Sequence, residues 1–226
     1  MVKAIVLSGG TGSRMKSKTK KQYMMLQGKP LIYYSLHTFC ESSVDEVILV
    51  TSPEDEEYCR KEIIEKYNLH KVKTIAYSGR ERYESVYNGL KKAEGADIVL
   101  VHDGVRPFVT VDMIERSIKA ALEYRACVVA MPVKDTIKVA DESGIVTSTP
   151  DRNSLWLMQT PQTFDYRLLR DCYEKVMSGD QTGITDDAMI VERASDVKIH
   201  LIEGSYRNIK VTTPEDMIIA EAFLGL

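Results

Sequence analysis

The sequence predicts an α/β fold, in which a mostly parallel sheet carries helices on both faces and a β-hairpin arm protrudes from it. Three observations lead to this prediction. Short strand-like runs alternate with longer helix-like patterns along most of the chain. The strand-like runs are almost continuously apolar, which is typical of parallel strands buried on both faces. Residues 135–150 instead show two more polar β-like runs around an Asp-Glu-Ser-Gly turn signal.

The elements follow from apolar periodicity and turn residues. The predicted strands cover residues 4–7, 46–50, 72–77, 98–101, 127–131, 198–202 and 208–211, and a hairpin pairs 136–139 with 145–148. The predicted helices cover residues 30–39, 52–67, 82–93, 111–124 and 166–177, with two more that begin near Thr185 and after Thr213. Because no linker interrupts this order, we expect one domain over residues 1–226, with the arm inserted at about 135–156.

Three of these helices have recognisable start signals. Ser52 is expected to cap the second helix, since Pro53 and two acids follow it in the first turn. Thr213 precedes the same kind of sequence at the last helix. Thr185 has the look of an N-cap, and because a helix N-terminus also attracts anions, it could hold a ligand as well.

Composition excludes several classes of protein. The chain has 226 residues, of which 44% are hydrophobic, and a net charge of −3, which argues against broad nucleic-acid binding. No apolar run approaches the roughly 20 residues that span a bilayer, and no signal peptide is recognisable. The four cysteines and four histidines are scattered, so no zinc site is visible and reduced, buried thiols are expected. We therefore expect a cytoplasmic protein.

A glycine-rich loop with dense positive charge, LSGGTGSRMKSKTKKQY, follows the first strand at residues 7–23. The dinucleotide fingerprint is excluded because Met15 stands where its third glycine should be, and the P-loop ending is absent. A loop that carries Arg14 and Lys21 suits nucleotidyl transfer, in which cations bind a triphosphate and stabilise charge on the reacting phosphorus. On the loop alone, a solvated basic loop without a ligand is an equally good interpretation.

Two candidate polar residues come at the end of the fourth strand, in VHDGVRPF at residues 101–108. Asp103 could face a ribose or a magnesium-bound phosphate, and Arg106 could bind a substrate anion. The alternative is an internal Asp–Arg pair in a turn. His102, which directly precedes Asp103, is expected to have a structural role.

Further candidates lie in the second half of the chain. Arg152 lies where the chain leaves the predicted arm. Thr160 belongs to a Thr-Pro-Gln segment that is expected to turn the chain back to the body of the domain. A surface salt bridge is the alternative role for Arg152. Lys210 lies in an otherwise apolar predicted strand, where a lysine is unusual unless it reaches an anion.

Taken in order, these motifs resemble those of the 2-C-methyl-D-erythritol 4-phosphate cytidylyltransferases. The resemblance covers essentially the whole chain and includes LSGGTGSRM…KKQY, SGRERYESV, VHDGVRPF, PVKDTIK, DRNSLW…QTPQTF, ITDDA and EGSYRNIKVTTPEDM. It implies a Rossmann-like sheet, a β-arm that clasps a second subunit in a homodimer, and a magnesium-dependent reaction. That reaction converts CTP and methylerythritol phosphate into CDP-methylerythritol and pyrophosphate, an isoprenoid precursor step.

The resemblance also implies roles for individual residues. Those matching the catalytic cations are Arg14, Lys21, Arg152 and Lys210. Those matching the CTP site are Leu7, Ser8, Gly9, Gly10, Gly12, Gly79, Arg82, Ser85, Asp103 and Gly104. Those matching contacts to the polyol phosphate are Asp103, Arg106, Arg152, Thr160, Thr185 and Lys210. Magnesium would be held mainly by the CTP phosphates, with Asp103 as a possible ligand.

Two other functions are compatible with parts of the sequence. The Leu7-Ser8-Gly9-Gly10 opening resembles the ribitol-5-phosphate cytidylyltransferases, whereas residues 151–156 and 185–188 favour methylerythritol phosphate. A non-catalytic nucleotide-sugar-binding module could keep the glycine loop but would not need the four catalytic cations. A glycosyltransferase would want an Asp-x-Asp metal motif, which the adjacent aspartates of ITDDA do not form.

Overall fold

The structure, a computed structural model, describes residues 1–10 and 19–225. Its strands are β1 (Val2–Leu7), β2 (Met25–Leu26), β3 (Lys29–Pro30), β4 (Glu46–Thr51), β5 (Val72–Tyr77), β6 (Ile98–Asp103), β7 (Ala126–Pro132), β8 (Val139–Ala140), β9 (Val146–Ser148), β10 (Trp156–Asp165) and β11 (His200–Glu203). Its α-helices are α1 (Leu31–Glu41), α2 (Glu56–Tyr58), α3 (Arg82–Lys92), α4 (Val111–Tyr124), α5 (Tyr166–Met177), α6 (Asp187–Ala194) and α7 (Pro214–Leu224). Short 3₁₀ turns occupy Lys21–Tyr23, Pro53–Asp55 and Arg152–Ser154, and a π-helical segment, Cys59–Glu65, continues α2.

Seven strands form one sheet in the order β11-β7-β10-β6-β1-β4-β5. Strands β6, β1, β4 and β5 are mutually parallel, as are β7 and β11, whereas β10 runs antiparallel between β6 and β7. The predicted mostly parallel α/β sheet is therefore confirmed. The chain order reverses on either side of β1, so a crevice opens between the carboxyl ends of β1 and β6, where such sheets bind ligands.

Both faces of the sheet are covered, as the apolar strands predicted. In β1, Ala4 and Val6 pack into one core cluster, while Ile5 packs into the other. Helices α1 and α4 cover the first face, where Phe39 is fully buried, and α3 and α5 cover the second, where Tyr173 is fully buried. The two-residue periodicity of a strand thus sends alternate side chains to opposite faces. This rigid centre positions the loops at the strand ends.

The predicted arm is present as a separate two-stranded hairpin of β8 and β9. Its turn is stabilised by Asp141, whose carboxylate accepts hydrogen bonds from the backbone N–H groups of Ser143 and Ile145, both at 3.0 Å. Gly144 follows at φ +81°, a left-handed conformation that favours glycine. The paired strands are shorter than the runs predicted at 136–139 and 145–148.

Strand β10 was missed in the sequence. The Thr160-Pro-Gln segment was expected to turn the chain, but it lies inside a ten-residue strand that pairs with both β6 and β7. A proline donates no hydrogen bond to a ladder and is normally confined to edges or bulges. Here the register of β10 against β7 shifts between Met158 and Gln162, and Pro161 lies within that shift. The strand therefore continues through a proline at an irregularity.

Three further predictions at element ends were wrong. Residues 208–211 form no strand, and Val211 instead donates one backbone hydrogen bond, 2.9 Å long, to the carbonyl of Val105. Helix α6 is capped by Asp186, whose carboxylate accepts from the N–H of Met189, and not by Thr185. The Ser52 hydroxyl makes no cap hydrogen bond and accepts one from Lys20.

Other local predictions agree with the structure. Thr213 and Asp216 form a capping box at the start of α7. The four cysteines are buried thiols. Among residues 1–10 and 19–225, no helix has both the length and the apolar character needed to cross a membrane.

Candidate active site

The crevice at the carboxyl ends of β1, β4, β5 and β6 has a volume of about 560 Å³. Many residues predicted from the sequence line it: Leu7, Ser8, Gly9, Gly10, Lys21, Gly79, Arg82, Ser85, Asp103 and Lys210. The register of the sheet explains this gathering, because Leu7 at the end of β1 pairs with Asp103 at the end of β6. Gly12 and Arg14 lie outside the described residues.

The glycine loop after β1 is held from two sides. Its first residue donates a backbone hydrogen bond to β4, from the Ser8 N–H to the Val50 carbonyl at 2.7 Å. At Gly9 a Cβ atom would lie 2.3 Å from the Cβ of Ser78, so only glycine fits against the loop that follows β5. The buried Gln22 side chain donates its amide N–H groups to the carbonyls of Ser8 (2.7 Å) and Gly10 (3.2 Å). Residues 8–10, the described start of the loop, are therefore held by contacts with β4, Ser78 and Gln22.

The loop between β5 and α3 forms the opposite wall of the crevice. The Gly79 N–H donates to the Ser85 hydroxyl at 3.0 Å. The Glu84 carboxylate accepts from the backbone N–H groups of Arg80 (2.6 Å) and Glu81 (3.3 Å), as part of a capping box. A side chain at Gly79 would collide with Glu84. The first turn of α3 thus shapes this loop, and a glycine lets it fold back tightly.

Asp103 is the electrostatic centre of the crevice. Its carboxylate is 2.8 Å from the Lys210 ammonium, 3.2 Å from Arg82 Nε and 3.9 Å from Arg106 Nε. Burial alone would raise the pKa of Asp103, but the positive charges of Arg82, Lys210 and Arg106 hold it well below its usual range. Asp103 is therefore an ionised and tightly held hydrogen-bond acceptor.

Arg82 also contacts a second carboxylate behind the crevice. Its Nη2 is 2.8 Å from Oδ2 of Asp187, and the hydroxyl of Tyr173 donates to the other oxygen of Asp187 at 2.6 Å. Burial would lower the pKa of Arg82, but Asp187 and Asp103 raise it above its usual value. Burial and the neighbouring Asp187 keep the pKa of Tyr173 well above its usual value, so the phenol retains the proton that it donates.

Behind Asp103, a hydrogen-bonded group joins β6 to β10. The Asp103 N–H donates to the Thr160 hydroxyl at 3.2 Å, which in turn is 3.0 Å from Nδ1 of His102. Nε2 of His102 is 3.2 Å from the carbonyl of Arg106, whose guanidinium donates to the carbonyl of Asn208. Burial lowers the pKa of His102 to about 4, so the ring is neutral. His102 thus holds the turn, as its predicted structural role requires.

Several predicted residues lie away from the crevice in this chain. Thr160 is buried beneath Asp103, and Gly104 packs against Ile32. Thr185 is exposed just before α6. Arg152 is exposed at the base of the arm, where it donates to the carbonyl of Lys134 at 2.9 Å.

Sequence reasoning missed Gln22, Asp187 and Tyr173. Gln22 directly follows Lys21, so its proximity to the loop was readable, but its two carbonyl partners were not. Asp187 belongs to the ITDDA motif and was assigned no role of its own, and nothing in the sequence singles out Tyr173. Within the described part of the chain, no group of three or more His, Cys, Asp or Glu side chains is placed to hold a metal ion.

Comparisons with known proteins agree with this geometry. The family model for 2-C-methyl-D-erythritol 4-phosphate cytidylyltransferase matches residues 2–226. A relative of that name from Lachnoclostridium phytofermentans is 48% identical over 99% of this chain and 96% of its own length. The crystal structure of a 4-diphosphocytidyl-2C-methyl-D-erythritol synthase from Anaerococcus prevotii is 35% identical, with a TM-score of 0.88 over 100% of this chain and 96% of that one. The crystal structure of a 2-C-methyl-D-erythritol 4-phosphate cytidylyltransferase from Thermus thermophilus is 26% identical, with a TM-score of 0.79 over 98% of each chain. The chain belongs to the 2-C-methyl-D-erythritol 4-phosphate cytidylyltransferase family.

Proposed function

We infer that this chain carries out the reaction of its family in the crevice, transferring CMP from CTP to 2-C-methyl-D-erythritol 4-phosphate and releasing pyrophosphate. One observation supports this site above all. A glycine loop, Lys21 and a cation-bound carboxylate, Asp103, converge on a single crevice at the point where the strand order reverses. A triphosphate needs such backbone donors and cations, and a hydroxylated partner needs a fixed acceptor.

The chemistry requires alignment and charge neutralisation. A phosphate oxygen of the polyol phosphate attacks the α-phosphorus of CTP, a new P–O bond forms, and the bond to the β-phosphate bridge breaks so that pyrophosphate leaves. No general base is needed because the nucleophile is already an anion. We assign Arg14 and Lys21 to the negative charge that spreads over the reacting phosphorus.

On the acceptor side, we assign Asp103 to a hydroxyl of the ribose or of the polyol, and Lys210 to the polyol phosphate. Lys210 is suited to both tasks, since it contacts Asp103 at 2.8 Å and also lines the crevice. Arg106 lies against the same carboxylate at 3.9 Å. We keep Thr160 and Thr185 as proposed polyol contacts. Both would have to move on binding, because Thr160 is buried beneath Asp103 and Thr185 lies away from the crevice.

Magnesium would be held by the phosphates of CTP, in keeping with the preference of this ion for phosphate oxygens and water. Asp103 does not suit it as a protein ligand, because both of its carboxylate oxygens already contact cations. The bound ion would offset phosphate charge, while Lys21, Arg82 and Lys210, which line the crevice, supply positive charge from the protein.

The substrate assignment is tested by pyrophosphate release from CTP with methylerythritol 4-phosphate, ribitol 5-phosphate and glycerol 3-phosphate as acceptors. We expect the highest kcat/KM with methylerythritol 4-phosphate. A higher kcat/KM with ribitol 5-phosphate would contradict the assignment and would favour the function suggested by the Leu7-Ser8-Gly9-Gly10 opening. No pyrophosphate release with any acceptor, with CTP binding retained, would favour a binding module.

The two loop cations are tested separately. Arg14→Ala and Lys21→Ala should each lower kcat by about 10²-fold or more, the loss expected for a preorganised charge in the transition state. A change confined to the KM for CTP would show that the residue acts only in ground-state binding.

We further propose that the arm forms a homodimer and delivers Arg152 to the partner's crevice. The hairpin exposes aliphatic side chains, including Ile145 at 65% and Val146 at 54%, and an isolated hairpin is only marginally stable in water. A second subunit would cover these side chains. Arg152, at the base of the arm and absent from the lining of its own crevice, would then complete the other site. We place the protein in the cytoplasm, where its buried thiols would stay reduced.

Mixing subunits tests this arrangement. Arg14→Ala and Arg152→Ala subunits should form mixed dimers in which one site carries both defects and the other carries neither. Activity should therefore rise above that of either variant alone. If the mixture stays as inactive as its parents after verified subunit exchange, Arg152 does not act in the partner's site, and a monomer in sedimentation would reject the dimer.

A further inference from the structure

The guanidinium of Arg82 lies between two carboxylates that belong to different parts of the fold. On one side is Asp103, which lines the crevice, with 3.2 Å between Nε and Oδ1. On the other side is Asp187, which does not line the crevice, with 2.8 Å between Nη2 and Oδ2. Residues 82 and 187 are far apart in the sequence, and their ion pair joins the first residue of α3 to the first residue of α6. Arg82 thereby links the crevice to the interior.

The position of Asp187 is unusually well fixed. Its side chain has no exposure to solvent, and its two oxygens are bonded to Arg82 and to the hydroxyl of Tyr173. Its backbone is fixed as well, since the N–H groups of Asp187 and Ala188 both donate to Oε1 of Gln162 at 3.0 Å. Burying a carboxylate is unfavourable, and replacing a buried ion pair by apolar residues is often neutral or stabilising. Stability alone is therefore a weak reason for this arrangement, and a role in aligning Arg82 accounts for it better.

We propose that Asp187 is a positioning residue for the transfer reaction, and that it fixes the Arg82 guanidinium against Asp103 while the Tyr173 hydroxyl completes its contacts from behind. Asp103 then presents its carboxylate to a substrate hydroxyl in one orientation, set by Arg82 on one side and Lys210 on the other. Asp187 itself touches no substrate. The proposal rests on the proposed function, since it assigns Asp187 to the alignment of the acceptor in that reaction.

The charges of this cluster predict which substrate binds and reacts less well when the charge of Asp187 is removed. Two carboxylates, Asp103 and Asp187, face three cations, Arg82, Arg106 and Lys210. Removing the charge of Asp187 makes the cluster more positive, so the attraction for the triphosphate is not weakened. Arg82 is, however, freed to leave Asp103 for that triphosphate. The acceptor should therefore bind and react less well, while CTP binds at least as tightly.

The test compares Asp187→Asn with a matched control, Asp171→Asn. Asp171 lies exposed on α5 and pairs only with Arg170 among the described contacts, so the control removes one carboxylate away from the crevice. We expect kcat/KM for methylerythritol 4-phosphate to fall by about 10- to 100-fold in Asp187→Asn, the loss expected when a charged hydrogen bond is removed. The KM for CTP and the Kd for CTP from calorimetry should not rise. The control should match the wild type.

A crystal structure of Asp187→Asn with CTP bound gives a readout independent of activity, because the Arg82 guanidinium should turn from Asp103 to the triphosphate. If Asp187→Asn does not fold, Tyr173→Phe decides the matter, since it keeps both charges and removes only the hydroxyl. It should produce the same selective loss for the acceptor, reduced to about three- to tenfold.

Some outcomes would overturn the proposal. They are an unmoved Arg82 in the variant structure, an equal rise in KM for both substrates, or kinetics in both Asp187→Asn and Tyr173→Phe like those of the control. An inactive wild type would instead show that the proposed function is wrong, and the position of Arg82 in the variant structure would still decide whether Asp187 holds it.

Discussion

Gln22 offers a direct test of how the glycine loop is held. Its side-chain amide donates to the carbonyls of Ser8 at 2.7 Å and of Gly10 at 3.2 Å. In a planar peptide the C=O and the following N–H point in opposite directions. By holding the Ser8 carbonyl, Gln22 therefore holds the Gly9 N–H on the side away from itself. Gln22→Met removes both donors while keeping a flexible side chain of similar length.

The size of the effect follows from the surroundings of the two carbonyls. Ser8 is only 3% exposed, so its carbonyl would lose its Gln22 partner in a buried place, at a cost of about 1–2 kcal/mol. Gly10 is exposed, so its carbonyl can turn to water and loses less. The free energy of unfolding should therefore fall by about 2 kcal/mol, which lowers Tm by roughly 4–8 °C in a chain of this size. A loop that is no longer fixed should also raise the KM for CTP by about tenfold.

Urea unfolding and steady-state kinetics measure these two effects. Gln181→Met is the matched control, because Gln181 also donates to a backbone carbonyl, that of Met177 at 3.0 Å, but lies outside the crevice. The control should change stability without changing the KM for CTP. If Gln22→Met loses stability but keeps the wild-type KM, Gln22 only supports the fold, and if it changes neither quantity, its hydrogen bonds do not hold the loop.

Three further outcomes follow from the surroundings of Asp103. Burial lowers the pKa of His102 to about 4, so below about pH 6.5 the unfolded state binds more protons than the folded state. The free energy of unfolding should therefore fall by about 2 kcal/mol as the pH is lowered from 7 to 5. Urea unfolding of His102→Asn at pH 7 and pH 5 should show a decrease in the free energy of unfolding that is smaller by this amount. If the variant and the wild type have the same pH dependence, His102 does not cause the decrease. Gly104→Ala would place a Cβ 2.2 Å from Ile32 Cδ1, and it should lower the free energy of unfolding by about 1–3 kcal/mol, whereas wild-type stability would show that the backbone there yields freely. Lys210→Met removes the cation 2.8 Å from Asp103 and should lower kcat/KM for the polyol phosphate by about 10²-fold in the pyrophosphate assay, and a normal value would remove Lys210 from the site.

Much of the fold could be predicted from the sequence because each central strand can be recognised from its own run of apolar residues. Strands such as β6 (Ile98–Asp103) are buried along their whole length, and continuous apolar runs of that kind are typical of parallel strands. Strand β10 was missed for a physical reason, since a proline normally argues against a strand inside a sheet. Its pairing is decided by neighbours from distant parts of the chain, β6 and β7, which no local pattern reveals.

For the candidate site, the sequence indicated individual residues but not the contacts between them. Gly9 was identified because it lies in a glycine-rich loop, and Lys210 because it lies in an apolar run that was predicted, wrongly, to be a strand. The partners that hold those residues are ordinary in the sequence and become meaningful only in the fold. Asp187 meets Arg82 across 105 positions of sequence, and Gln22 meets Ser8 across 14. Many residues that line the crevice were therefore predictable, whereas the contacts that hold them were not.

That alignment begins in the backbone itself. Leu7 pairs with Asp103 in the register of β1 and β6, and the Gly104 N–H donates to the Leu7 carbonyl at 2.9 Å. A Cβ at Gly104 would lie 2.8 Å from that same oxygen, so the close approach of the two strand ends depends on glycine. The glycine loop starts at one of these ends, and Asp103, which we assign to a substrate hydroxyl, lies at the other. Their separation is thus set by a ladder of backbone hydrogen bonds within the core, whereas Arg82 and Lys210 set only the orientation of the carboxylate. Because bringing two substrates into line can supply a large part of the rate acceleration, fixing both sides on adjacent parallel strands suits a reaction that needs no general base.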